Sequence, residues 1–175
     1  MLMRATFPRY SQGLLIALVL ATLLMAGGCA SKTPQPPPGA QPAKVKQQPA
    51  SGKAAAIIRT ARAMIGVRYQ WGGESPSQGF DCSGLTWFAF HQHGINLPRI
   101  SWQQFGVGKT VSYSDMRPGD LIFHKVDKSG KSLHVGILTD RGTFIHAPSS
   151  GKRVMESSLN NPYWREHFIG ARRVL

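Results

Sequence analysis

The stretch LHVGILTDRGTFIHA, Leu133 to Ala147, reads as two strands joined by a turn. Val, Ile, Leu, Thr and Phe crowd both arms, and Asp-Arg-Gly interrupts them with turn chemistry. If DRG closes a three-residue loop with Gly142 in the left-handed conformation, Gly136 faces His146, and His134 is the diagonal neighbour of His146. Any odd loop keeps both imidazoles on one face of the sheet. Diagonal Cβ atoms lie within about 7–8 Å, a gap two rings can bridge with a hydrogen bond, and Gly136 leaves room for that contact. A histidine in such a setting is either a satisfied core residue or a working one.

Further β-rich runs surround this hairpin: LIFHK (121–125), RVMES (153–157) and FIGARRVL (168–175). RPGD (117–120), DKSGKS and PSSGK between them have turn compositions, so an antiparallel meander is expected. The preceding residues have helical rather than alternating periodicity. AAAIIRTARAMI (54–65) puts Ile57, Ile58, Ala61, Met64 and Ile65 on one face and ends at Gly66. Asp81 is a favoured N-cap, Cys82 and Ser83 fill the first turn behind it, and Leu85, Trp87, Phe88 and Phe90 continue an apolar helix to Gly94. Ser101 and Gln104 have capping-box spacing. Helices first and strands afterwards predict an α+β domain, with helices packed on an antiparallel sheet of five to six strands. Between the first two helices, VRYQWGGESPSQGF carries Tyr69, Trp71 and Phe80. Such aromatics either line a site or plug the core edge, and the second role suits Trp71 and Phe80 better.

Cys82 at a helix start faces unsatisfied N–H groups and the positive end of the helix dipole, which favour a thiolate. Packing between helix and sheet is the alternative for a small, buried cysteine. With His134 and His146 on one sheet face, roles can be written: Cys82 as nucleophile, His134 as base and then acid, His146 as the group orienting the His134 ring. Backbone N–H groups at the helix start would stabilise an oxyanion by about 3–4 kcal/mol per donor. A thiolate–imidazolium pair predicts a bell-shaped pH profile. His91 and His93 suit a helix C-terminus, and His124 and His167 lie among charged neighbours. One cysteine and two histidines are also a possible zinc set. Helix-start placement activates a thiol without metal, so neither metal nor cofactor is expected.

The N-terminal residues predict export. Arg4 and Arg9 precede LLIALVLATLLM (14–25), and Ala26, Gly27 and Gly28 lead to Cys29. That run is shorter than the roughly 20 apolar residues of a membrane span, so residues 1–28 read as a signal peptide. LMAGGC resembles a bacterial lipoprotein processing site, which implies a lipid on Cys29 and, with Ala30 following, the outer membrane facing the periplasm. Residues 29–53 are rich in Pro, Gln and Ala without acidic or aromatic residues, the composition of a disordered tether. A lipidated Cys29 leaves Cys82 without a disulfide partner in an oxidising compartment. Residues 54–175 then form one domain with 15 Lys and Arg against 8 Asp and Glu. For an exported protein this charge points away from nucleic acid and toward carboxylate-rich cell wall, anionic lipid or plain solvated surface.

YQWGG, FDCSGL, LPR, PGDLIF, HVGI and FIHA, in that order, resemble the NlpC-type cell-wall cysteine peptidases of the papain-like superfamily. NPYW and ARRVL further resemble the lipoprotein murein endopeptidases among them. The resemblance implies a papain-like fold and a Cys–His–polar triad of Cys82, His134 and His146. It also implies Tyr69, Asp81 and Ser83 beside the substrate, with the tyrosine hydroxyl next to the nucleophile. The implied substrate is the peptidoglycan stem, cut between D-glutamate and diaminopimelate or at the D-alanine–diaminopimelate crosslink; the lipoprotein resemblance favours the crosslink. Arg99 and other cations would meet the anionic stem or simply pack and be solvated. A monomer, with adaptor or protease control possible in principle, is the expected assembly. The rival readings are a non-catalytic peptidoglycan-binding lipoprotein and acyl transfer to lipid by the same thiol and imidazole.

Overall fold

Ile57, Ile58 and Ala61 are buried on one side of α1 (Gly52–Ala63), the helical spacing read from the sequence. The computed structural model describes residues 49–50, 52–126 and 133–175. The expected signal peptide, Cys29 and nearly all of the expected tether therefore lie outside the described residues. Helix α1 ends two residues sooner than its periodicity predicts: Met64, Ile65 and Gly66 form a turn, which leaves Ile65 at 43% exposure. The aromatic loop follows, pinched by the short pair β1 (Glu74–Ser75) and β2 (Gly79–Phe80). Phe80 is buried as expected, whereas Trp71 is 79% exposed and plugs nothing.

Asp81 caps α2 (Cys82–His91), its carboxylate accepting from the Gly84 N–H at 2.6 Å. The expected capping box at α3 (Ser101–Gln104) does not form, because Ile100 is the N-cap and makes no side-chain cap. Gln104 turns inward instead, where its amide donates to the Ser83 and Pro98 carbonyls and accepts from Thr86 Oγ1 at 2.7 Å. A buried amide satisfied three times is more stable there than at a helix start open to water.

The sheet comprises β3 (Lys109–Val111), β4 (Leu121–Lys125), β5 (Leu133–Leu138), β6 (Thr143–His146), β7 (Met155–Ser158) and β8 (Phe168–Arg173), in the order β3-β8-β4-β5-β6-β7. Strands β4 to β7 are the expected meander. Strand β8 departs from it, crossing back to pair with β4 and carrying β3 on its outer edge. The connection is α4 (Pro162–His167), started by Pro162 behind the Asn161 cap; alternation analysis does not reveal so short a helix. In the central hairpin Ile137 faces Ile145 and Leu138 faces Phe144, with Gly142 at φ 70°, the predicted register and turn. One sheet face packs Leu121, Phe123, Val135, Ile137 and Ile145 against α1 and α2; the other packs Ile122, Leu138 and Phe144 with Trp164 and Phe168. His134 and His146 belong to this second face by strand alternation.

Candidate active site

Strand β6 ends at His146, so the side of β5 that β6 would cover is left open near Leu133 and Val135. The start of α2 docks there. The Cys82 sulfur lies 4.0 Å from the Leu133 carbonyl and is approached by the Val135 N–H, so it meets the backbone on both sides of His134. Cys82 is only partly buried. From the other side of the base, His134 Nε2 and His146 Nδ1 are 2.8 Å apart, and His146 Nε2 is 2.8 Å from Ser157 Oγ. This pairing occupies the outer nitrogen of His134 and leaves Nδ1 as the atom able to serve the thiol. Gly136 makes the pairing possible: a Cβ there would lie 2.6 Å from the Phe144 ring and 3.2 Å from His146 Cβ.

Electrostatics qualify the reading from helix position. The N–H groups of Cys82, Ser83 and Val135 do favour a thiolate, but burial outweighs them and, with the nearby Asp81 charge, raises the Cys82 thiol to about 11. Burial, followed by repulsion from His146, lowers His134 to about 3; burial, followed by repulsion from His124 and Lys152, does the same for His146. The resting pair is therefore neutral thiol and neutral imidazole, and the proton passes to His134 as sulfur attacks.

The network beside the nucleophile is internal. Arg99 makes a two-pronged contact with Asp81 at 3.0 and 2.9 Å and also reaches Ser83 Oγ, the Gly73 carbonyl and Glu74. Asp81 further accepts from the Gly72 N–H at 2.9 Å, which ties the aromatic loop to the helix start. Asp81 and Ser83, expected beside the substrate, thus have their polar atoms engaged within the protein, and Arg99, partly exposed, is held in the same network. Tyr69 is different. It is half-buried, and burial, followed by the Cys82 and Asp81 charges, opposes its ionisation.

Three residues escaped the sequence reading. Ser157 extends the histidine pair; its only sequence signal is its even spacing along the strand after the His146 strand. Trp164 stacks on His134 at 5.4 Å and meets His146 edge-on at 4.9 Å, roofing both rings. The NPYW motif that contains it does not encode which rings the tryptophan covers. His124, expected among charged neighbours, is wholly buried opposite His134 and packed against Phe144, Trp164 and Phe168. Among the described residues neither of its nitrogens has a hydrogen-bond partner, and burial lowers it to about 3. His91 does sit at the helix end, stacked on Trp87, while His93 bonds Thr60 Oγ1 at 2.9 Å. Among the described residues no three His, Cys, Asp or Glu side chains group as metal ligands.

Residues 66–173 match the NlpC/P60 family. Over 158 residues the chain is 35% identical to the probable endopeptidase NlpC of Escherichia coli K12, covering 90% of this chain and 97% of that one. It is 44% identical to the murein DD-endopeptidase MepS/murein LD-carboxypeptidase of the same organism, covering 63% of this chain and 57% of the relative. A crystal structure of an NlpC/P60 family protein from Bacillus cereus ATCC 10987 superposes with a TM-score of 0.65 at 38% identity, over 73% of this chain and 41% of that one. The chain spans about half the length of the curated murein DD-endopeptidases it matches, 42% and 57% in two cases.

Proposed function

Since the chain belongs to the NlpC/P60 family, we propose that it is a cysteine peptidase hydrolysing peptide bonds of peptidoglycan, with the D-alanine–diaminopimelate crosslink as its target. One observation carries the chemistry: a cysteine sulfur at a helix start, held against the backbone either side of a histidine whose outer nitrogen is fixed at 2.8 Å by a second imidazole. Attack by Sγ of Cys82 on the D-alanine carbonyl passes the thiol proton to His134. As the C–N bond breaks, His134 gives that proton to the departing diaminopimelate amine, and a thioester remains on Cys82. Water, deprotonated by His134, then hydrolyses the thioester and restores the thiol. His146 and Ser157 hold the base in orientation throughout. Relatives named murein endopeptidases support the substrate class.

The proposal extends to location. Residues 1–28 would be removed, Cys29 acylated, and residues 29–53 would let the domain reach from the outer membrane into the wall; the sequence pattern alone supports this part. Mass analysis of the protein from membranes would show a lipid-bearing Cys29 at the new N-terminus, and an unmodified thiol there would refute acylation. For the bond, sacculi digested by the enzyme should release crosslinked dimers as monomers ending in D-alanine. Products with new diaminopimelate amino termini inside a single stem would assign the D-glutamate bond instead.

A further inference from the structure

A cavity of about 600 Å³ opens beside the catalytic histidines, bordered by His146, Lys152, Ser157, Asn161, Tyr163 and Trp164. Its volume is in the usual range for a small-ligand site. Lys152 is the one formally charged side chain among its described lining residues. The backbone carbonyl of Lys152 accepts from the Tyr69 N–H at 2.8 Å, so the loop segment bearing this lysine is also tied to the aromatic loop that precedes Cys82. The ammonium group is also close enough to His146 to oppose its protonation. Cavity and cation therefore border the imidazole that is hydrogen-bonded to His134.

Chemistry fixes which half of the substrate enters here. His134 must hand its proton to the leaving nitrogen, so the leaving residue lies on the histidine side of the sulfur and the acyl residue on the opposite side. In the crosslink, the carbon bearing the leaving nitrogen of diaminopimelate also bears a carboxylate that no peptide bond consumes. At the D-glutamate bond, the corresponding carboxyl is tied up in the amide to D-alanine.

We propose that this cavity is the subsite for the departing diaminopimelate and that Lys152 pairs with its free carboxylate. This rests on the peptidase reading above and sharpens it, because the pairing selects for the crosslink and against the D-glutamate bond. An amidated carboxylate leaves the lysine only a neutral carbonyl oxygen in place of an anion, and because Lys152 is exposed the preference this confers is a few-fold in rate.

The test uses the full-length protein and two purified crosslinked dimers, one with that carboxylate free and one with it amidated. Wild type should cleave the free dimer about 2- to 5-fold faster in kcat/KM than the amidated one. Lys152→Ala should lose that preference by slowing the free dimer more than the amidated one, and Lys152→Arg should restore it. Lys152 is exposed, so its truncation spares the fold, and an unchanged thermal unfolding midpoint reports this directly. Equal cleavage of both dimers by wild type, or equal slowing of both in Lys152→Ala, would overturn the subsite while leaving the peptidase reading intact. Failure of wild type to cut either dimer, with D-glutamate–diaminopimelate cleavage in its place, would overturn both the crosslink and the subsite.

Discussion

Cys82, His134, His146 and Ser157 form a graded series, and their substitutions should rank accordingly. Cys82→Ala and His134→Ala remove bond-making groups and should each lower kcat by about 10³-fold or more. His146→Ala removes an orienting group that water can partly replace, and a loss of about 10- to 100-fold is expected; Ser157→Ala, one bond further out, should cost still less. Steady-state rates on one muropeptide would check the order, and a Ser157→Ala loss equal to that of His134→Ala would contradict it. The neutral resting pair makes a second prediction at this scale. With the thiol at about 11 and the imidazole at about 3, iodoacetamide alkylation of Cys82 should keep accelerating with pH beyond 9. A plateau reached below pH 8 would instead indicate a preformed thiolate.

At the scale of elements, the site is a helix start wedged against a gap in a sheet. The hairpin part was legible in the sequence because a three-residue turn ending in Gly fixes register, and register fixes which histidines share a face. The Asp81 cap was legible for the same local reason. What stayed hidden involves long-range contacts: Arg99 against Asp81 is a pairing across 18 residues, and Gln104 abandons its expected cap for partners around Ser83. Trp71 and His124 also exchanged their expected environments, since local composition does not encode which side of a loop or strand faces the core. Gly136→Ala should show how tight the hairpin is. A methyl 2.6 Å from the Phe144 ring forces the β5–β6 pair apart, costing about 1–3 kcal/mol in denaturant unfolding and displacing His146 from His134. Activity loss without destabilisation would mean that the space was not needed for packing.

Across the whole molecule, three buried imidazoles, His124, His134 and His146, stay neutral down to about pH 3 when folded, while an unfolded imidazole takes its proton near 6.5. Between those values the unfolded chain binds more protons, so stability must fall as pH falls, by up to about 1.4 kcal/mol per pH unit for each imidazole. Thermal melts from pH 7.5 to 4.5 should show a steady drop in Tm beginning near 6.5. His124→Leu should shallow that slope, because it removes one of the three protons and two unpaired buried nitrogens. A Tm independent of pH over this range would mean that the histidines are not buried as described. The most direct test of the account as a whole is turnover of a purified crosslinked muropeptide by wild type and by Cys82→Ser, followed by mass spectrometry. The account predicts conversion of dimer to two monomers with uptake of one water by wild type and a loss of about 10³-fold or more in the variant; comparable product from both proteins would contradict it.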